Sequence, residues 1–324
     1  MITPLSPETT AREAGPADVV LFAVKLWDTE SAAEQLRPIV ENGIVIPFQN
    51  GVESVDRISA ILGKDKVMGG SAYIATRIAA PGLIEHTGTM ARLRFGPLMP
   101  SQRSAAQGFL AACKESGVDA ELSEDIVRVN WEKFAFLVAM SGTTALARAP
   151  LGIVRGDPDL RWMFEQAMRE AWTLARRRGI KLPDDFVEKQ MAFADTLPVE
   201  MRASMLHDLA AGNRLEAPWL CGAVVRMGQE HGLAAPVNRA IYAALVRLCG
   251  DRDLAADLTQ ESFRKAWQSL STFDGRSRFS TWLYRIAYNA FVNRARRPLR
   301  AVSLEGDGAP VPEDPAETAE EALV

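Results

Sequence analysis

Between residues 17 and 123 the apolar positions fall in short unbroken runs. From 124 to 247 they follow helical spacing instead. Asp18 to Val24 (DVVLFAV) is continuous and rich in Val and Leu, as a strand buried on both faces of a parallel sheet reads. Ile44 to Phe48 is a second such run. Helical patterns follow each, over Asp28–Val40, with Asp28 or Thr29 as N-cap, and over Ser54–Leu62, closed by Gly63. Strand, helix, strand, helix at this spacing predicts an α/β layer with a parallel sheet. Three strand-like pieces come next, Val67–Ile78, Leu83–His86 and Ala91–Phe95, then a helix over Ser101–Ser116 and a short strand near Val118–Leu122.

Beyond Ser123 the period is helical throughout. Ser123 is placed to cap a helix whose first turn carries Glu124 and Asp125, acids that suit the positive end of the helix dipole. Helices are predicted over about 124–147, 158–179, 184–195, 200–211, 215–231 and 236–248. Pro183, Pro198 and Pro236 stand near proposed starts, where proline is tolerated. After Gly250 the pattern gives two more amphipathic helices, about 252–270 and 278–298, joined by Phe273-Asp274-Gly275. Residues 1–16 read as loop.

Composition adds little until charge is mapped along the chain. The 324 residues are 48% hydrophobic with a formal charge of −4, enough apolar content for two or three cores. Arg276 to Arg300 holds seven arginines and no acid, and Glu305 to Glu321 holds seven acids and no base. The first block reads as a solvated helix face or a polyanion contact; the second is expected to be a disordered acidic tail over 301–324. Cys113, Cys221 and Cys249 have no metal-ligand spacing and read as reduced structural thiols in a cytoplasmic protein. No metal site is expected. No run is long enough to span a bilayer, and no secretion signal is evident.

Few positions carry chemistry on their own. Lys25 ends the first buried strand, and Gln49, Asn50 and Gly51 end the second. Polar residues at the carboxyl ends of parallel strands sit where open α/β sheets bind ligands, although Asn-Gly is also a common turn pair. Lys133 lies in a helix among Trp131, Phe134 and Phe136. By position alone it reads as a solvent-facing lysine, and Ser204 and Glu216 are equally mute.

Taken in order, LFAVKLWDTE at 21–30, PFQNGV at 47–52, EHTG at 85–88, WEK at 131–133, TTALARAPLG at 143–152, RASMLHDL at 202–209, NRLE at 213–216 and APVNRAIYAAL at 235–245 resemble the ketopantoate reductase (2-dehydropantoate 2-reductase) family. The resemblance covers residues 17–247. It implies a Rossmann-like NADP-binding domain over 17–123, packed on an all-α domain over 124–247, with the active site between them. It implies reduction of the carbonyl of a small 2-oxo acid by NADPH, in the pathway to pantothenate and coenzyme A, and it is compatible with a homodimer. By the same resemblance Lys133 is the general acid and touches substrate, and Asn50 contacts substrate and cofactor. Ser204 binds substrate, and Lys25, Ala75 and Glu216 hold cofactor.

The sequence departs from the family in two places. No Gly-x-Gly-x-x-Gly turn is present, so the Rossmann domain is expected to be partial, lacking its first βαβ unit, and to bind NADPH weakly or not at all. Where well-known members carry asparagines that bind ketopantoate, this chain has Leu137, Ser141 and Leu151.

The segment DLTQESFRKAW followed by FDGRSRFSTWLYRIAYN resembles sigma-70 region 2 of extracytoplasmic-function sigma factors. It implies a helical hairpin over 250–300. In that likeness Asp257, Gln260, Glu261 and Phe263 face RNA polymerase core, while Arg276, Arg278, Trp282, Arg285 and Asn289 lie toward promoter −10 DNA. Arginine neutralises phosphates and aromatic rings stack on unpaired bases. The two resemblances meet near Arg247–Arg252 without a linker. The chain therefore reads as a reductase, as a sigma module, or as a non-functional join of two gene fragments.

Overall fold

The computed structural model describes residues 11–80 and 83–248. The predicted hairpin over 250–300, the acidic tail and Cys249 lie outside them, as do all the residues assigned above to polymerase and DNA. Within the described residues the architecture is a Rossmann-like α/β layer followed by a helical domain.

β1 (Val19–Phe22) and β2 (Ile44–Pro47) pair in parallel, Val19 opposite Ile44. β2 is buried along its whole length. The helices α1 (Thr29–Leu36) and α2 (Ser54–Leu62) cover one face through Ala33, Leu36 and Ile58, which close on Phe22 and Val45. β3 (Gly69–Ala80) and β4 (Leu83–Gly96) form a long antiparallel hairpin, and β5 (Asp119–Leu122) adds to β4 in parallel. Among the described residues one isolated parallel bridge, Val45 to Val67, links the two sheets. The parallel pairing expected of the first strands is present, with an antiparallel hairpin built in after it. The pieces predicted over 83–86 and 91–95 are one strand. The ladder slips register between Ile74 and Thr76, so Ala91 faces Ile74 while His86 faces Thr76. That irregularity interrupts the apolar pattern without ending the strand. Helix α3 (Arg103–Glu115) packs its Ala106 into a core with Ile46, Met68 and Phe95.

The helical domain is organised around α4 (Ile126–Ala147). This helix is apolar on nearly every side, as a helix enclosed by others must be. α6 (Pro158–Arg177), α9 (Cys221–Glu230) and α10 (Pro236–Leu248) surround it, and Phe134, Val138, Leu174, Val224, Ile241 and Leu245 share one core. The cap of α4 is Asp125, whose carboxylate accepts from Arg128 N at 3.0 Å. Ser123, the predicted cap, instead accepts from Asp125 N and shapes the approach. α5 (Leu151–Gly156) was not foreseen: six residues are too few to show a period. α7 (Phe186–Thr196) falls where expected, and α8 spans only Ser204–Ala210. The run 215–231 is not one helix. Pro218 sits in a 3-10 turn over Ala217–Trp219, and Leu220 leaves helical geometry at φ −107°, ψ −96° before α9 begins.

The contact between the two layers depends on small residues. A Cβ on Gly69 would lie 2.6 Å from Ile126 Cγ2, and one on Gly96 2.3 Å from Ser123 O. Bare backbone there lets the start of α4 lie directly on β3 and β4, and this sets the height of every later residue on that helix.

Candidate active site

A cleft opens where the carboxyl end of β2 meets the start of β3 and the first half of α4. Gln49, Asn50, Gly51, Gly70, Ser71, Asn130, Lys133, Phe134 and Leu137 line it. The strand end supplies the first three, as strand-end logic anticipated. The tight turn after β2 is made by Gly51 at φ 89°, a conformation that favours glycine. The helix supplies Asn130, Lys133 and Leu137, spaced one turn apart and so on one face.

Lys133 is drawn inward. Its Nζ donates to Ala72 O on β3 at 2.6 Å and lies 5.5 Å from the centre of the Tyr73 ring. Burial of the amine lowers its pKa to about 8, because desolvation disfavours the ammonium. One hydrogen bond uses one of the three ammonium donors.

Glu216 lies across the seam from the helical side. Its Oε1 accepts from Leu26 N at 3.3 Å. Burial raises the pKa of the carboxyl; the Lys25 ammonium, the Leu26 N–H and the Asn50 amide pull it down, and Asp208 pushes it up. Asn50 thus lines the cleft with Lys133 and also bears on Glu216. Lys25 is exposed and pairs with Asp208 Oδ2 at 3.1 Å. Beside it, Trp27 and Trp219 lie 6.2 Å apart with the Arg214 guanidinium over both rings. Arg226 and Glu53 form a further pair across the same seam, at 2.6 Å.

Four of the sequence-predicted residues, Lys133, Asn50, Glu216 and Lys25, are therefore gathered along one seam. Ala75 lies further along β3 at the register slip. Ser204 is exposed in the first turn of α8 and does not line the cleft; it shares a face of that helix with Asp208, four residues on. Of the three positions where family asparagines are replaced, only Leu137 reaches the cleft. Ser141 and Leu151 are fully buried. Sequence reasoning missed Asn130 and Asp208. The first could have been found from its place one turn before Lys133; nothing local marks the second.

The family model described as ketopantoate reductase PanE/ApbA matches residues 2–100, and that for its C-terminal part matches 125–248. A crystal structure of a PanE/ApbA family ketopantoate reductase from Ralstonia eutropha is 30% identical, with a TM-score of 0.67, over 74% of this chain and 78% of that one. A 2-dehydropantoate 2-reductase from Geobacter metallireducens is 25% identical with a TM-score of 0.68, covering 74% and 79%. A 2-dehydropantoate 2-reductase from Halobacterium salinarum is 29% identical over 76% of this chain and 80% of its own length. The chain belongs to the ketopantoate reductase family. A sigma-70 region 2 model also matches, over 233–300. Its first part overlaps α10, and the rest lies beyond the described residues. Among the described residues no helix is long and apolar enough to cross a membrane.

Proposed function

We propose that this chain carries the proton-donating site of an NADPH-dependent reductase acting on a small 2-oxo acid. The observation that supports it is the enclosed Lys133 amine, which shares its cleft with Asn50 while Asn50 bears on Glu216. Lys133 stands beside the carbonyl oxygen and stabilises the negative charge that grows there. It then gives up a proton, which an amine with a pKa near 8 releases more readily than an ordinary lysine. Asn50 orients the substrate carbonyl by hydrogen bonding. Glu216 would hold the cofactor near the nicotinamide ribose, and Lys25 and Ala75 would line the cofactor cleft. Bound NADPH supplies the hydride. The residues present fit that end of the nucleotide, whereas no Gly-x-Gly-x-x-Gly turn is available for its pyrophosphate. Ketopantoate is the reference substrate, because the relatives named above act on 2-dehydropantoate. Leu137 offers no amide to it, and a polar ligand group left unmatched costs about 1–3 kcal/mol. The test is NADPH oxidation with ketopantoate and simpler 2-oxo acids, by this chain and by a version extended with a Gly-rich βαβ unit. Turnover that Lys133→Met lowers by about 10²–10⁴ supports the reading; no turnover by the extended version overturns it.

The sigma-70 region 2 match supports a second reading, a module that binds RNA polymerase core and promoter DNA. One structural observation weighs against it. The match begins at residue 233 and so takes in α10, whose Ile241 and Leu245 are fully buried in the reductase core. One apolar face cannot pack into two cores at once. Run-off transcription with core polymerase is expected to show no discrete start site, and a discrete start would restore this second reading.

A further inference from the structure

We propose that the ion pair between Glu53 and Arg226 is a clamp that fixes the turn carrying Asn50 against the turn carrying Glu216, and that Arg226 positions the seam from outside the cleft. The inference concerns the geometry of the seam and does not depend on the reaction proposed above.

Lys25 with Asp208, Leu26 with Glu216 and Glu53 with Arg226 join the α/β layer to the helical domain. The first two use Lys25 and Glu216, which the reductase reading assigns to cofactor. Neither Glu53 nor Arg226 lines the cleft. Arg226 Nη2 donates to both carboxylate oxygens of Glu53, at 2.8 and 2.6 Å. Glu53 is also held from its own side of the seam. It stands at the N-terminus of α2, where the helix dipole favours an acid. Arg57, one turn on, lies 3.7 Å from it and donates to Glu30 Oε1 at 2.7 Å. Glu30, Arg57, Glu53 and Arg226 thus form a chain of alternating charge. The first three belong to the α/β layer, and Arg226 is the member from the helical domain.

Both ends of the pair are tied to residues of the seam. Glu53 closes the turn that begins at Asn50. Within that turn Gly51 comes close to the backbone of Trp219, whose oxygen a Cβ would meet at 3.5 Å, and Val52 packs against the helical core. Arg226 lies in α9, which begins just after the 3-10 turn that Glu216 leads into. Drawing Arg226 to Glu53 therefore draws the Asn50 turn and the Glu216 turn together. An exposed ion pair contributes little when two free side chains must be ordered to form it. Here Arg57 and the helix end already order the carboxylate, whose side chain is 22% exposed. Loss of Arg226 leaves Glu53 its second arginine, so no buried charge is stranded and the variant is expected to fold.

Hydrogen exchange of the full chain, followed by mass spectrometry, tests the clamp. In Arg226→Met, amides over 49–53 and 214–220 are expected to exchange roughly two- to fivefold faster, the effect of one partly exposed ion pair on a local opening. Amides of α4 and β3 are expected to keep their rates. Arg226→Lys keeps the charge and is expected to recover part of the protection. In the unaltered chain, about 1 M sodium chloride shortens the screening length to roughly 3 Å and is expected to reproduce the effect of Arg226→Met, while adding little in that variant. The salt measurement on the unaltered chain needs no substitution, and so decides the matter even where a variant does not fold. Unchanged exchange at both segments, faster exchange throughout the chain, no recovery in Arg226→Lys, or an equal response to salt with and without Arg226 overturns the inference. Val52 packing alone would then hold the turn.

Discussion

Lys133 shows how much a single residue's meaning depends on what surrounds it. In the sequence it is one helical lysine among aromatic residues. In the structure its amine is taken out of water, donates to Ala72 O and has a pKa near 8. Lys133→Met should therefore cut kcat by about 10²–10⁴, the usual contribution of a positioned acid. It should also raise the melting temperature at pH 7, by about 2–4 °C for each kcal/mol recovered from a buried charge. The pH dependence follows from the same shift. The acid form of Lys133 is lost as pH rises through about 8, so the rate should fall above that point. Stability should move the other way. The unfolded lysine, at 10.5, holds its proton where the folded one has released it, so this residue's contribution to stability rises between about pH 8 and 10.5. A rate that stays flat to pH 10 in a kinetic profile would remove Lys133 from the proton step.

At the scale of elements, the strands and long helices were legible because burial imposes a period on them. α2 and α10 fall where the pattern put them, and β1 and β2 fall within their apolar runs. The misplaced features were short or set by caps. The start of α4 is fixed by the Asp125 carboxylate rather than by Ser123. Asp125→Ala is expected to cost about 1 kcal/mol in a denaturant melt, with a smaller loss for Ser123→Ala. α5 depends on a neighbour distant in sequence. A Cβ on Gly152 would meet Val199 O at 2.8 Å and Val199 Cβ at 2.9 Å, while Gly152 N donates to that same oxygen. Gly152→Ala should destabilise by about 1–3 kcal/mol, as overpacking does. An unchanged midpoint would mean that α5 can shift without cost.

For the whole molecule, the decisive relation is between two domains that meet along one seam. Lys25 with Asp208, Leu26 with Glu216 and Glu53 with Arg226 join strand-end segments to helices about 170 to 190 residues further along the chain. Such pairings leave no local trace, which is why Asp208 went unread. Under the proposed function the seam would take the nicotinamide end of the cofactor, while the 324 residues contain no Gly-x-Gly-x-x-Gly turn for its pyrophosphate. Titration of the chain with NADPH, followed by nicotinamide fluorescence, is expected to show binding much weaker than micromolar. Low-micromolar binding would mean that the phosphates are held by other groups.

By itself the sequence determined the layers, the buried strands and the central helix, because hydrophobic period is a local consequence of which face must leave water. It also carried the family, through ordered motifs. Only the tertiary structure decided which residues line the cleft and which buried polar atoms are left without partners. Those outcomes depend on the close approach of α4 to β3 at Gly69, and on long-range pairs whose members lie far apart in the chain.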